Sequence, residues 1–415
     1  MITTPHLISW NLTRRCNLAC GHCYLDAVQR KSDAVAELTL PEVARVIDEI
    51  AEFAPGAMLV LTGGEPLLRR DLGDIVEHAA GAGLMPVVGS NGILLDAARA
   101  RHLRQLGAAG VGISLDSTTP EFHDRLRAHD GAWLGALNGM RAARDAGLGV
   151  LMQATLFEEN RHQLAGFADL ATDVGAMALN FFFLVCTGRG VTQTDLSGQA
   201  YEETLREILV LQAVRPQLMV RARCAPYARR MLGLHAGELA GGYAEWSSAC
   251  LAGRRYLRIG PTGEVTPCPY VPNSAGSVRW RPLREIWETG ADFVRLRQEM
   301  PGGKCGSCDY RVSCGGCRAR ALATTGDLMD EDGKCNYIPA DSTKPELPSP
   351  RCASAVTWSP EAQHLLERIP SFVREKLRTS LEQKAAAAGE AIVSVDFMRR
   401  QRPANLPFSR PDSSV

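Results

Sequence analysis

Three cysteines near the start of the chain could do chemistry together. Cys16, Cys20 and Cys23 stand as Cys-x3-Cys-x2-Cys directly after a short β-rich run, His6 to Leu12. Three thiolates are one short of a closed tetrahedral zinc site. They suit a [4Fe-4S] cluster whose fourth iron stays open to a ligand. A zinc site completed from elsewhere, for instance by His22, is the alternative that the spacing leaves open. A second field follows: Cys250-x12-Gly263-x4-Cys268, then Cys305-x2-Cys308-x5-Cys314-x2-Cys317, then Cys335, with Cys224 upstream. Paired CxxC spacings of this kind hold zinc or iron–sulfur clusters. There are 13 cysteines in all, an odd count. The opening Met-Ile-Thr-Thr-Pro-His has no basic region ahead of an apolar one, so a secretory signal is not expected. The expectation is a reducing compartment, the cytoplasm, where clustered cysteines serve metal or redox chemistry rather than disulfides. Cys186 and Cys352 read as a core cysteine and a linker cysteine.

Polar residues recur where strands should end. Short apolar runs at 6–12, 57–62, 85–89, 110–115, 148–156 and 178–186 read as strands. Gly63-Gly64-Glu65-Pro66 follows the second; the glycines admit close backbone approach and the carboxylate could hold an ammonium group. Ser90-Asn91 follows the third, Ser114-Leu115-Asp116 ends the fourth, and Gln153 lies in the fifth. The carboxyl ends of successive parallel strands converge on one mouth, where such folds place their sites. Gly188-Arg189-Gly190 reaches the same mouth after the sixth strand; Arg189 could clamp a substrate or cofactor carboxylate, or be a solvated loop residue. Arg125 and Arg127 read as helix-surface residues, Tyr24 as packing beside the cysteines, and the histidines show no ligand spacing.

Helical patterns fill the gaps. Thr39-Leu40-Pro41-Glu42 has the form of a capping box and opens the apolar series Val43, Val46, Ile47, Ile50. Six βα repeats predict parallel strands with helices outside, too few for a closed eight-stranded barrel. The domains expected are 1–223, the βα core; 224–345, cysteine-rich; 346–357, a linker; and 358–415, a small helical domain. The second has too little regular apolar pattern for a conventional core, so metal should organise it. In the tail one helix starts at Trp358-Ser359-Pro360-Glu361. Another spans 371–388, pairing an apolar stripe (Val373, Leu377, Leu381, Ala385) with Arg374, Lys376, Arg378 and Lys384. Lys+Arg and Asp+Glu are 46 each, so no net positive field exists to hold nucleic acid. The longest apolar run, Phe181 to Cys186, is far below the roughly 20 residues of a membrane span.

The stretches CNLACGHCY, LTGGEP, SNG and SLD resemble the radical SAM superfamily, from residue 6 to near residue 220. The resemblance implies a partial (β/α)6 TIM-like barrel. In it Cys16, Cys20 and Cys23 ligate a [4Fe-4S] cluster, and S-adenosylmethionine (SAM) takes the open iron. Gly63, Gly64 and Glu65 would meet the methionyl amine. Ser90, Asn91, Ser114 and Gln153 would lie near the carboxylate and ribose. The second field resembles the SPASM domain, with x2 where x3 is usual before Cys317. By analogy Cys305, Cys308, Cys314 and Cys335 hold one auxiliary [4Fe-4S] cluster. Cys250, Cys268 and Cys317 contribute to a second, closed by Cys224 or left with an open iron; paired zinc ribbons remain the alternative.

ISWNLTRRCNLACGHCY, FFFLVCTGRG and CGGCRARALATTGDLMDEDGKC resemble the radical SAM proteins of heme and heme d1 biosynthesis. Those enzymes alter acetate or propionate side chains of a siroheme-derived tetrapyrrole. An electron donor such as flavodoxin or ferredoxin would then be a partner. Trp358 to Arg402 resembles the small C-terminal domain of the light-independent protochlorophyllide reductases, which also handle a tetrapyrrole. Two other functions stay open. One is a SPASM-type peptide maturase, although Cys16 leaves no room before it for a leader-binding domain of the size such enzymes carry. The other is a non-catalytic metal-binding scaffold.

Overall fold

Seven parallel strands alternate with helices through the first half of the chain: β1 (Leu7–Asn11), β2 (Met58–Thr62), β3 (Met85–Ser90), β4 (Gly110–Ser114), β5 (Gly149–Leu156), β6 (Ala178–Phe183) and β7 (Met219–Arg223). The connecting helices are α1 (Leu40–Phe53), α2 (Leu72–Gly81), α3 (Ala97–Gln105), α4 (Pro120–Arg127), α5 (Ala132–Asp145), α6 (Leu164–Asp173) and α7 (Gly198–Val214), with α8 (Tyr227–Leu234) after β7. The computed structural model describes residues 4–28, 36–234, 250–338 and 357–367. Near the C-terminus it describes 378, 381–382, 384–385, 388 and 390–401. The six expected strands fall within one to three residues of their places, and the fold is the partial TIM-like barrel that the resemblance implies. β7 is an addition to the six. The capping box also forms: the Glu42 carboxylate accepts from the Thr39 amide (2.7 Å) and hydroxyl (2.8 Å). Val43, Val46, Ile47 and Ile50 are all buried behind it.

The two faces of the sheet differ. Ile8, Trp10, Leu59, Leu61, Val111, Ile113, Met152 and Phe181 are fully buried on the face that packs under the helices. Paired residues of parallel strands share a face. Ser114 stands beside Gln153, Gln153 beside Asn180, and Asn180 beside Arg221. A polar row therefore crosses four strands on the inner, half-buried face. A Cβ at Gly112 would lie 2.6 Å from the Gln153 side-chain nitrogen, so the glycine makes room for Gln153 on that face.

The cysteine-rich segment continues the same sheet. β8 (Tyr256–Ile259) pairs in parallel with β1, and β9 (Glu264–Thr266) and β10 (Gly276–Ser277) add antiparallel edges. This segment adds apolar residues to the outside of the barrel, where Trp287 meets Phe53 of α1 edge-on at 6.3 Å. Leu283, Ile286, Trp287, Phe293 and Leu296, from helices Leu283–Thr289 and Ala291–Gln298, are buried. The break at Gly290 interrupts their period, which hides the pattern in the sequence.

Residues 1–347 form one compact unit and 348–415 another. The second holds a helix, Pro360–Glu367, where one was expected. Leu381, Ala385, Val393 and Phe397 make a small core, and the Arg378 guanidinium stacks over Trp358 at 5.4 Å. Val373, Arg374, Lys376, Leu377 and Cys352 lie outside the described residues. Among the described residues, no helix is long and apolar enough to cross a membrane.

Candidate functional site

The loop after β1 carries Cys16, Cys20 and Cys23, and backbone contacts hold it from several sides. The Cys16 amide donates to Val28 O (3.0 Å), the Gly21 amide to Leu126 O (2.8 Å), and the Arg189 amide to Cys23 O (3.1 Å). The Arg189 guanidinium donates to Cys20 O (2.9 Å), Asp26 Oδ1 (2.6 Å) and Ala27 O (2.9 Å). Arg189 thus braces the cysteine loop. Each sulfur accepts one hydrogen bond: Cys16 from Leu18 N–H (3.4 Å), Cys23 from Ala27 N–H (3.4 Å), and Cys20 from Arg127 Nη1 (3.7 Å). Burial pushes the Cys16 thiol up to about 12. N–H groups aimed at sulfur are what a thiolate-bound iron–sulfur cluster uses, so the donor set fits one.

The segment after β2 lies against this loop. The Gly64 amide donates to Thr13 O (2.7 Å) and the Glu65 amide to Arg15 O (2.9 Å). A Cβ at Gly63 would come within 2.5 Å of Thr13 O, and one at Gly64 within 2.2 Å of Arg15 O, so only glycine allows the approach. The Glu65 carboxylate is fully buried. It accepts from Ser90 Oγ (2.9 and 3.0 Å), Asn91 N–H (2.9 Å) and Leu67 N–H (3.0 Å). Asn91 in turn donates to Asn17 Oδ1 (2.8 Å) in the cysteine loop. Glu65, Ser90 and Asn91 therefore lock three loops together. Burial pushes Glu65 up to about 7 against those donors. Glu65→Gln should cost about 1–3 kcal/mol, because an amide NH2 must face one of the buried N–H groups. A urea-unfolding midpoint reads this. A loss below about 0.5 kcal/mol, the range of an ordinary surface change, would refute the role.

Behind Cys20 sits a charge pair that corrects the sequence reading of Arg127. It is buried, not on the helix surface. Its Nε and Nη2 donate to Asp116 Oδ2 at 2.9 and 2.5 Å, and Asp116 Oδ1 accepts from Thr155 N–H (2.9 Å). Burial alone would raise Asp116; the guanidinium outweighs it and holds the carboxyl at about 2. His22 lies 3.8 Å from Asp116, and burial lowers it to about 4, as it does His123. Both rings are neutral at pH 7. In the sequence Asp116 reads only as a strand end. The signal for the pair is an acid closing a buried strand with an arginine eleven residues on.

In the second field Cys305, Cys308, Cys314 and Cys335 line one open pocket with Arg230, Lys304 and Arg311. Tyr310 N–H donates to the Cys308 sulfur and Asp332 N–H to the Cys305 sulfur, both at 3.4 Å. Four thiols and three cations fit an anionic cluster. Cys224, Cys250, Cys268 and Cys317 pack together around another buried group. Tyr24, which takes a hydrogen bond from Asn11 (2.9 Å), meets Tyr270 edge-on at 5.4 Å between that group and the first loop. Among the described residues, no three His, Cys, Asp or Glu side chains close to ligand spacing around a single ion.

Residues 10–171 match the model of the radical SAM superfamily, 250–317 that of the iron–sulfur cluster-binding SPASM domain, and 358–402 that of the proto-chlorophyllide reductase 57 kD subunit. The chain is 36% identical over 347 residues to the AdoMet-dependent heme synthase of Methanosarcina barkeri, covering 82% of this chain and 98% of that one. It is 31% identical over 363 residues to the pre-heme d1 synthase of Dinoroseobacter shibae, covering 82% and 88%. The crystal structure of Streptococcus suis SuiB bound to S-adenosylmethionine superposes with a TM-score of 0.64 at 15% identity, covering 80% of this chain and 77% of that one, which shows the shared fold. The cofactors are accordingly SAM and [4Fe-4S] clusters, and the scaffold reading is set aside. The chain is a radical SAM enzyme of the SPASM-bearing family to which the AdoMet-dependent heme synthases belong.

Proposed function

We propose that the enzyme removes or decarboxylates acetate or propionate side chains of a siroheme-derived tetrapyrrole. The observation that carries this reading is the likeness to the M. barkeri heme synthase over nearly its whole length. When bound, the cluster at Cys16, Cys20 and Cys23 supplies one electron that cleaves SAM to a 5′-deoxyadenosyl radical able to take hydrogen from a side-chain carbon. The chain's own residues bind and orient. Gly63 and Gly64 bring backbone against the cysteine loop, Glu65, Ser90 and Asn91 fix their position, and Ser114 and Gln153 offer polar groups on the inner face. The same face continues to Arg221 and Arg223 on β7, with Arg258 on β8. Arg223 Nε donates to Asn180 (3.3 Å), and buried Arg258 donates to Asn11. Arg258 is also paired with Glu264 (3.4 Å), and the guanidinium groups along this face suit a macrocycle edged with carboxylates. A low-potential donor such as flavodoxin or ferredoxin, in the cytoplasm, would supply electrons.

Anaerobic incubation with SAM, reductant and siroheme-derived tetrapyrroles should give products lighter by carbon dioxide or by a side chain, read by mass spectrometry. Turnover of a peptide with none of any tetrapyrrole would favour a peptide maturase instead. The tail is proposed to help present the tetrapyrrole. Deleting 358–415 should weaken tetrapyrrole binding while leaving SAM cleavage without substrate intact. Unchanged affinity and turnover would remove the tail from substrate handling.

A further inference from the structure

We infer that Cys224 is the fourth thiolate of the second auxiliary cluster, closing it with Cys250, Cys268 and Cys317. The inference rests on the iron–sulfur cofactors of the family, and it is independent of the tetrapyrrole. Cys224 lies outside the matched SPASM segment of 250–317, directly after β7. The fold nevertheless brings it against the same buried group, Val185, Ala252, Val271 and Leu296, as the other three cysteines.

The backbone carries the second observation. Cys224 has φ +56°, a left-handed conformation that side-chain-bearing residues rarely adopt. Its carbonyl is gripped by the Tyr201 hydroxyl (2.8 Å) and by Arg320 Nη2 (2.9 Å). Arg320 Nη1 reaches Asp332 (3.0 Å), and the same Asp332 carboxylate oxygen accepts from the Cys317 amide (2.7 Å). One arginine and one aspartate therefore tie the two cysteines' backbones together. Strain of this kind persists where the surroundings over-determine it, and it clusters at functional sites. Glycine would relieve the strain, so what cysteine adds at this position is its thiol. Tyr270 packs against the same buried group and the Arg320 guanidinium holds the Cys224 carbonyl, surroundings suited to a ligated thiolate. A cluster closed by four thiolates has no iron free for SAM or substrate, which limits it to carrying electrons or to structure.

The test reads iron, not turnover. In a background with Cys16, Cys20 and Cys23 changed to Ala, the parent, Cys224→Gly, Cys250→Ala and Cys186→Ala are reconstituted anaerobically. Iron and sulfide are counted, and the reduced protein's electron paramagnetic resonance spectrum is recorded with and without imidazole. The parent should hold about eight irons, four per cubane. Cys224→Gly and Cys250→Ala should match each other, either losing about half the iron or showing the same new imidazole-sensitive signal. Cys186, which packs with Phe157 and Leu184 elsewhere, should behave as the parent when changed to Ala. The glycine relaxes rather than strains the backbone, so loss of iron reports the thiol. Parent iron and spectrum in Cys224→Gly, or a loss in Cys224→Gly that Cys250→Ala does not share, would overturn the assignment.

Discussion

With Cys16, Cys20 and Cys23 all changed to alanine, the protein should form no deoxyadenosine from SAM, yet still take up iron at its other cysteines. Arg189, the Cys16 amide to Val28 and the Gly21 amide to Leu126 hold the loop by backbone, so alanine leaves the loop in place. The second field is positioned by other segments, through Arg320, Asp332 and Lys304. Iron should therefore fall from about twelve per chain to about eight, four per cubane, while chromatography detects no deoxyadenosine above background. Formation at the parent rate would sink the radical SAM assignment of this triad. A parent chain that saturates near four irons and holds stoichiometric zinc would instead restore the ribbon reading of the second field.

The barrel strands are legible in the sequence because each is a short apolar run, and β1 to β4 end on a polar residue, Asn11, Thr62, Ser90 and Ser114. β7 is not, because its inner face is charged. Arg221 and Arg223 replace the apolar residues that a buried parallel strand normally shows on both faces. Gly63 and Gly64 do allow close approach, as their type implies, but the partner they approach is the cysteine loop. Glu65 is expected at the SAM amine from its motif; its type gives no sign that Ser90, Asn91 and Leu67 occupy its oxygens. Cys305, Cys308, Cys314 and Cys335 line one pocket. The place of Cys224 is legible only once β7 has delivered it to the others.

Arg127→Met should be among the most damaging single changes away from the cysteines. Asp116 is fully buried, and its other neighbours, His22 and His123, are held neutral at pH 7. Removing one partner of a buried pair leaves an uncompensated charge, which costs about 3–5 kcal/mol. Methionine keeps the packing, so a loss of that size in a urea titration reports the charge. Pairing it with Asp116→Asn should recover part of the loss, since the stranded charge is then gone. The pH dependence has a definite sign. Asp116 is held at about 2, below its ordinary value, so its contribution is present at neutral pH and fades as pH falls from near 4 towards 2. Arg127→Met should reverse that acid-side dependence, because burial without the guanidinium raises Asp116 and the variant then gains stability as the carboxyl is protonated. Arg127 also donates to the Cys20 sulfur, and hydrogen bonds to cluster sulfurs set reduction potential. Without that donor and its charge, the first cluster should become harder to reduce, seen as a more negative midpoint in a potentiometric titration. An Arg127→Met protein with parent stability and parent midpoint would show that the buried pair neither holds the fold nor tunes the cluster.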